Sequence, residues 1–183
     1  MSDTQRAEGL VDASGRDPRS PQDLAGDERT MLTGYLRRQR ETLEAKCAGL
    51  GPEQLAERAV EPSTISLLGL VRHMARVERG WFRQCVEGED VATLFRGPGN
   101  MDGEWDDAVG TRECVDEAFA AWRAECRSSD AIIAARGLED TFVDHSGWQW
   151  NLRSLLGHMI EEYARHLGHA DLLRERIDGR LGE

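Results

Sequence analysis

Long apolar runs are missing from this chain of 183 residues. Nowhere do the ~18 consecutive apolar residues occur that a membrane-spanning helix requires, and the opening Met-Ser-Asp-Thr-Gln-Arg is too polar to begin a secretory signal. Positive charge is short too, since 23 Lys and Arg face 34 Asp and Glu for a formal net charge of -11. A surface of that sign repels phosphate backbones and anionic lipid, so neither nucleic acid nor a membrane is an expected partner. Cysteine is confined to Cys47, Cys85, Cys114 and Cys126, too widely spaced for a Cys-x-x-Cys metal or redox pair, and reduced thiols in a cytoplasmic protein are the expectation. Lysine is almost absent: Lys46 stands against 22 arginines, a usage that fits a GC-rich genome. Sustained period-two alternation and internal repeats are missing as well, which removes β-sheet and solenoid architectures.

What remains is helical periodicity on a scale of one domain. Residues 1–28 hold Gly9, Gly15, Pro18, Pro21 and Gly26 among scattered charges and read as a mobile or loosely docked N-terminal leader, leaving 29–183 as the folded domain. Within the domain, Leu32, Tyr35, Leu36, Leu43 and Cys47 recur at three- and four-residue steps, marking a helix over 28–50 that Gly51-Pro52 ends. Pro62-Ser63-Thr64 starts a second, very apolar helix that runs to residue 88. A third is expected over 111–135 and a fourth over 151–177, separated by long connections at 89–110 and 136–149. Four long helices with long crossover loops predict an all-α four-helix bundle, a fold that builds its sites from side chains projecting inward from facing helices.

The chemistry concentrates in the fourth helix. His158, Glu162 and His166 are four residues apart and share one face, and stepping by three and four from Glu162 meets Leu155, Met159, Ala170 and Leu173. Glu162 and His166 therefore lie in the stripe that faces the core. The second helix repeats the anomaly, because the face carrying Leu70, Val77 and Trp81 also carries His73. One inward histidine is ordinarily a hydrogen-bonded core residue, and a Glu-His pair one turn apart is ordinarily a surface contact. A carboxylate and two imidazoles turned into the same core are costly unless paired or bound to a metal, and their occurrence on two helices points to ligation. His158 is either a further ligand or a partner behind the ligands; His169 falls to one side of the stripe and is better placed to orient a neighbour. His145 lies in a loop without an evident partner.

The run from His158 to Glu175 resembles the last helix of the DinB-like superfamily, and Leu70-Val71-Arg72-His73-Met74 with Glu78-Arg79-Gly80-Trp81-Phe82 resembles its second. Within the superfamily the similarity is greatest to the branch of mycothiol-dependent maleylpyruvate isomerase and related thiol transferases, which carries glutamate where many members have histidine. It extends over residues 28–177. The resemblance implies a DinB-like four-helix bundle with His73, Glu162 and His166 as metal ligands, the same three residues that the helical faces select.

Two histidines and a carboxylate suit zinc with a fourth position open, although the set can also hold ferrous iron. A dication with one carboxylate ligand keeps a net charge of about +1 and favours an anionic fourth ligand, such as a thiolate. The reading is a metal-dependent thiol S-transferase, or an isomerase with a thiol cofactor, in which a small thiol such as mycothiol attacks an electrophile. The alternatives are a non-catalytic metal-binding bundle and a metal-dependent hydrolase, the latter weakened because Glu161 points off the ligand face. The loops at 89–110 and 136–150 are expected to form the mouth. Phe95, Met101 and Trp105 are apolar groups in need of cover, which makes a homodimer an expectation.

Overall fold

The structure is a computed structural model that describes residues 17–181. Its long helices are α1 (Glu28–Cys47), α3 (Leu67–Glu78), α5 (Arg112–Ala135) and α6 (Leu152–Asp178), with one-turn helices α2 (Pro52–Leu55) and α4 (Gly103–Asp106) in the connections. Each long helix begins the same way. Asp27, Ser66, Thr111 and Asn151 sit at the N-caps in extended backbone, and each side-chain oxygen accepts the N–H three residues on, from Thr30, Gly69, Cys114 and Ser154. Those bonds satisfy amide donors that the helix itself leaves unpaired. At the other end of α6, Gly179 turns the chain with φ 78°, a conformation that lacks a Cβ penalty only in glycine.

The all-α bundle anticipated from periodicity is what these helices form. α3 is its centre, with eleven of its twelve residues buried, packed on α5 and α6, while α1 packs mainly on α6. Leu68, Leu70, Met74, Leu155, Leu156 and Met159 fill the space between them with essentially no exposure. Among the described residues, no helix is long and apolar enough to cross a membrane.

Three features differ from the sequence expectation. The second helix does not stay α to residue 88 but widens at Glu78 into a π-helix, Arg79–Val86. The connection at 89–110 contains α4, and the one at 136–149 opens into a short antiparallel hairpin, β1 (Thr141–Val143) with β2 (Gln149–Asn151), pairing Phe142 with Trp150. Strands of three residues and a helix of one turn are too short to produce a period. Of the leader expected at 1–28, residues 1–16 lie outside the described residues. Residues beyond them run along α1, where Ser20 donates to Glu41 from both its N–H and its hydroxyl and Arg37 donates to the Pro21 carbonyl. Two of the three apolar groups thought to need an external cover have one inside the subunit: Phe95 and Trp105 pack against the core, and Met101 is left 56% exposed.

The most polar object in the bundle lies at its middle. Glu78, fully buried at the end of α3, receives Arg40 of α1 through two bonds of 2.7 Å, Ser129 of α5 at 2.7 Å and the Tyr163 hydroxyl of α6 at 2.8 Å. Trp122 of α5 in turn donates to Tyr163 at 2.9 Å. Burial, and then the Glu78 charge, push the Tyr163 hydroxyl well above its ordinary pKa, so it stays protonated and donates. Removing the acceptor leaves the buried Arg40 guanidinium only Asp130, at the surface, as a carboxylate partner: Glu78→Ala should lower unfolding free energy by about 3–5 kcal/mol, and Tyr163→Phe by the smaller ~1–3 kcal/mol of an unsatisfied bond. Urea titration followed by circular dichroism measures both, and equal, near-zero effects would refute this role for the carboxylate.

Candidate metal centre

His73 projects from the middle of α3, and Glu162 and His166 from successive turns of α6, so the contact between these helices brings the three together. The Glu162 carboxylate oxygen lies 3.4 Å from Nε2 of His73 and 3.4 Å from Nε2 of His166. The two imidazole rings meet edge to face with centroids 4.5 Å apart. One ligand atom from each residue falls within 4.8 Å of the others, the arrangement in which a metal ion can be held. Hydrogen bonding to His166, then to His73, draws the Glu162 carboxyl well below the usual carboxylate range. Burial works against a charge on His73, but hydrogen bonds to Glu104 and Glu162 outweigh it and raise its pKa.

The residues around this triad complete the comparison. Residues 31–179 match the family described as Mycothiol-S-transferase. The chain belongs to the mycothiol S-transferase family. No curated protein matches it.

The donor set of this family member fits a tetrahedral cation. On zinc, bonds of ~2.0–2.1 Å separate neighbouring ligand atoms by ~3.3 Å, close to both Glu162–histidine distances. The ring behind the first ligand is fixed as well. Nδ1 of His73 lies 3.0 Å from the carboxylate of Glu104, a residue 3% exposed, so Glu104 is placed to accept a proton on Nδ1 and Nε2 is the ring atom turned to Glu162, where it would meet a cation. Arg76 pairs with the other Glu104 oxygen and lies 3.1 Å from the same ring nitrogen. Glu104 reaches this position because Arg72, itself buried, donates to the carbonyls of Gly103 and Glu104 and fastens α4 onto α3. Trp105 then stacks on the His73 ring with centroids 5.0 Å apart. It can do so only beside a residue without a side chain: a Cβ at Gly69 would stand 2.9 Å from the Trp105 ring.

The other histidines take separate places. His169 lies with Nδ1 3.4 Å from Nδ1 of His166, behind that ring. His158 packs edge-on against Trp81 and Trp150, with centroids 4.8 and 5.5 Å away. His145 lines a cleft of about 320 Å³ between the π-helix, the loop after it and the hairpin turn, together with Arg76, Trp81, Gln84 and Arg96. Glu104 and Trp105 were hidden among the acidic and glycine residues of the 89–110 connection, and no pattern along the chain distinguishes Glu104 from Asp102 or Asp106 beside it. Because Glu104 orients a histidine, Glu104→Gln should weaken zinc affinity by about 10–100-fold, measured by competition with a chromogenic chelator; wild-type affinity would leave Glu104 no orienting role.

Proposed function

We propose that this chain holds one divalent cation, zinc by its donor set, through His73, Glu162 and His166, and joins mycothiol through its thiol sulfur to a small electrophile. The observation that carries the proposal is the meeting, among the described residues, of three ligand-capable side chains in a chain that belongs to the mycothiol S-transferase family. A bound dication lowers the pKa of a small thiol from its usual ~8.5 and so supplies a thiolate nucleophile at neutral pH.

The chain's own residues prepare the place for that chemistry. Glu162 contributes a single negative charge, which leaves a dication about +1 and receptive to an anionic ligand. Glu104 and Arg76 neutralise one another and hold the His73 ring still, and Trp105 covers its face from water. His158 is engaged with Trp81 and Trp150, and His169 stands behind His166, an arrangement that favours three protein ligands over four. Three ligands and an open position are the pattern of catalytic rather than structural zinc. Hydrolysis finds less support, since Glu161, the acidic neighbour of Glu162, is 69% exposed and pairs with Arg165. Residues 29–183 act as one domain in this reading, with a small thiol and a small electrophile as partners.

The test is elemental analysis of wild-type protein and His166→Ala, paired with transfer of mycothiol to iodoacetamide. Wild type should carry about one zinc per chain and accelerate transfer; the variant should lose both while its helical circular dichroism is retained. A His166→Ala protein that kept its metal and its rate would refute the ligand assignment.

A further inference from the structure

The cleft beside the candidate metal centre contains an arginine that has no partner among the described residues. Most arginines of this acidic chain are spent on carboxylates or carbonyls, as Arg40, Arg72, Arg79 and Arg174 illustrate. Among the described residues Arg96 has no hydrogen bond or ion pair, although it is half-buried; Arg112 and Arg127 share that lack but are exposed. A guanidinium partly withdrawn from water without a carboxylate is the electrostatic counterpart of an absent anion.

Its position is set by strained backbone. Phe95, next to it, has φ 58°, a left-handed conformation that bulky residues avoid, and its ring is held under the Arg72 guanidinium at 4.1 Å. Gly97 and Asn100 exchange two backbone bonds of 3.1 and 2.9 Å immediately after Arg96, closing a tight turn. The segment is thus fixed on both sides and aims Arg96 at the cleft wall formed by Arg76, Gly80, Trp81 and Gln84.

Arg76, three residues after His73 on α3, lines this cleft and also lies 3.1 Å from the His73 ring, so the cleft adjoins the proposed ligand set through that residue. Arg76 belongs to both: its Nε and Nη2 face Glu104 and His73, and Nη1 has no partner among the described residues. The acidic residue in the cleft is already used. Asp144 accepts the N–H groups of Ser146 and Trp148 on one oxygen and the Trp150 indole on the other, at 2.8–2.9 Å. Both of its oxygens are turned to the hairpin, which leaves Arg96 as the guanidinium of the cleft with no carboxylate partner among the described residues.

We infer that this cleft is a carboxylate subsite for the electrophile, with Arg96 as its anchor and Arg76 as the second donor at the end nearest the metal ligands. The inference rests on the S-transfer reading for the identity of the ligand but not for the existence of the anion site. The favoured substrate class is a small carboxylic acid with an electrophilic carbon, for example an α-halo acid. The thiolate forms a carbon–sulfur bond as the carbon–halogen bond breaks, the halide leaves with the electron pair, and the carboxylate stays on Arg96 throughout.

Two measurements separate the inference from the function it builds on. In the first, succinate is titrated into metal-free protein at constant ionic strength and followed by ¹H–¹⁵N shifts. Saturable binding is expected in wild type, unchanged in Arg112→Gln and weakened about tenfold or more in Arg96→Gln. Equal binding by Arg96→Gln, or none by wild type, overturns the site. In the second, mycothiol transfer to iodoacetate is compared with transfer to neutral iodoacetamide. Arg96→Gln should lower kcat/KM for iodoacetate about tenfold and leave iodoacetamide unchanged; equal loss on both would overturn its assignment to the electrophile. Absence of any transfer by wild type would refute the proposed function alone, because the succinate titration decides the anion site without it.

Discussion

The carboxylate of Glu78 is the constraint from which the rest of the bundle can be read. It is buried among the helices and accepts from side chains on all three of the other long helices, Arg40 of α1, Ser129 and Cys126 of α5, and Tyr163 of α6. Apolar packing alone tolerates small rotations and slides of a helix, because one Leu-lined surface resembles the next. A charge surrounded by directed donors does not, since any displacement breaks bonds that no water replaces. The energetic return of such a pair over an apolar core is small, and its effect here is on register.

That register is what the candidate metal centre inherits. Tyr163, bonded to Glu78, is the immediate neighbour of Glu162, so fixing its rotation about the α6 axis also fixes the direction of the Glu162 carboxylate. On α3, His73 lies five residues before Glu78 on the same rigid element. The polar core and the candidate ligands are thus two levels of a single contact between α3 and α6. The transition to π-helix directly after Glu78 fits this division: below it α3 is a regular, buried helix, and beyond it the wider turns carry Trp81 and Gln84 along the wall of the cleft.

A second buried carboxylate, Glu104, repeats the device on a smaller scale. Delivered by one turn of helix that Arg72 fastens in place, it joins Arg76 and His73 in a chain of charge-assisted bonds. The loop that delivers it also supplies Trp105 over the His73 ring and Arg96 to the cleft. A connection that carries little regular structure thereby sets the ring orientation, the water exclusion and the charge around the site, as positioned loops on rigid scaffolds commonly do.

The four long helices and the membership of His73, Glu162 and His166 in inward-facing stripes were legible from residues alone, whereas the start expected at Pro62-Ser63-Thr64 falls instead at the Ser66 cap. Helical periodicity is a local property, repeated over enough turns in each segment to be read without knowing its neighbours. The resemblance in the second and fourth helices named the family for the same reason, as its motifs are contiguous. What only the tertiary structure decided is which side chains meet across elements: Glu78 with its donors from three helices, Glu104 behind His73, Trp105 in the gap that Gly69 leaves, and Arg96 without a partner among the described residues. None of these repeats along the chain, and Glu104 is one acid among several in its loop. Their roles arise from separations of thirty to ninety residues closed by packing, and a pattern of nearest neighbours holds no record of such distances.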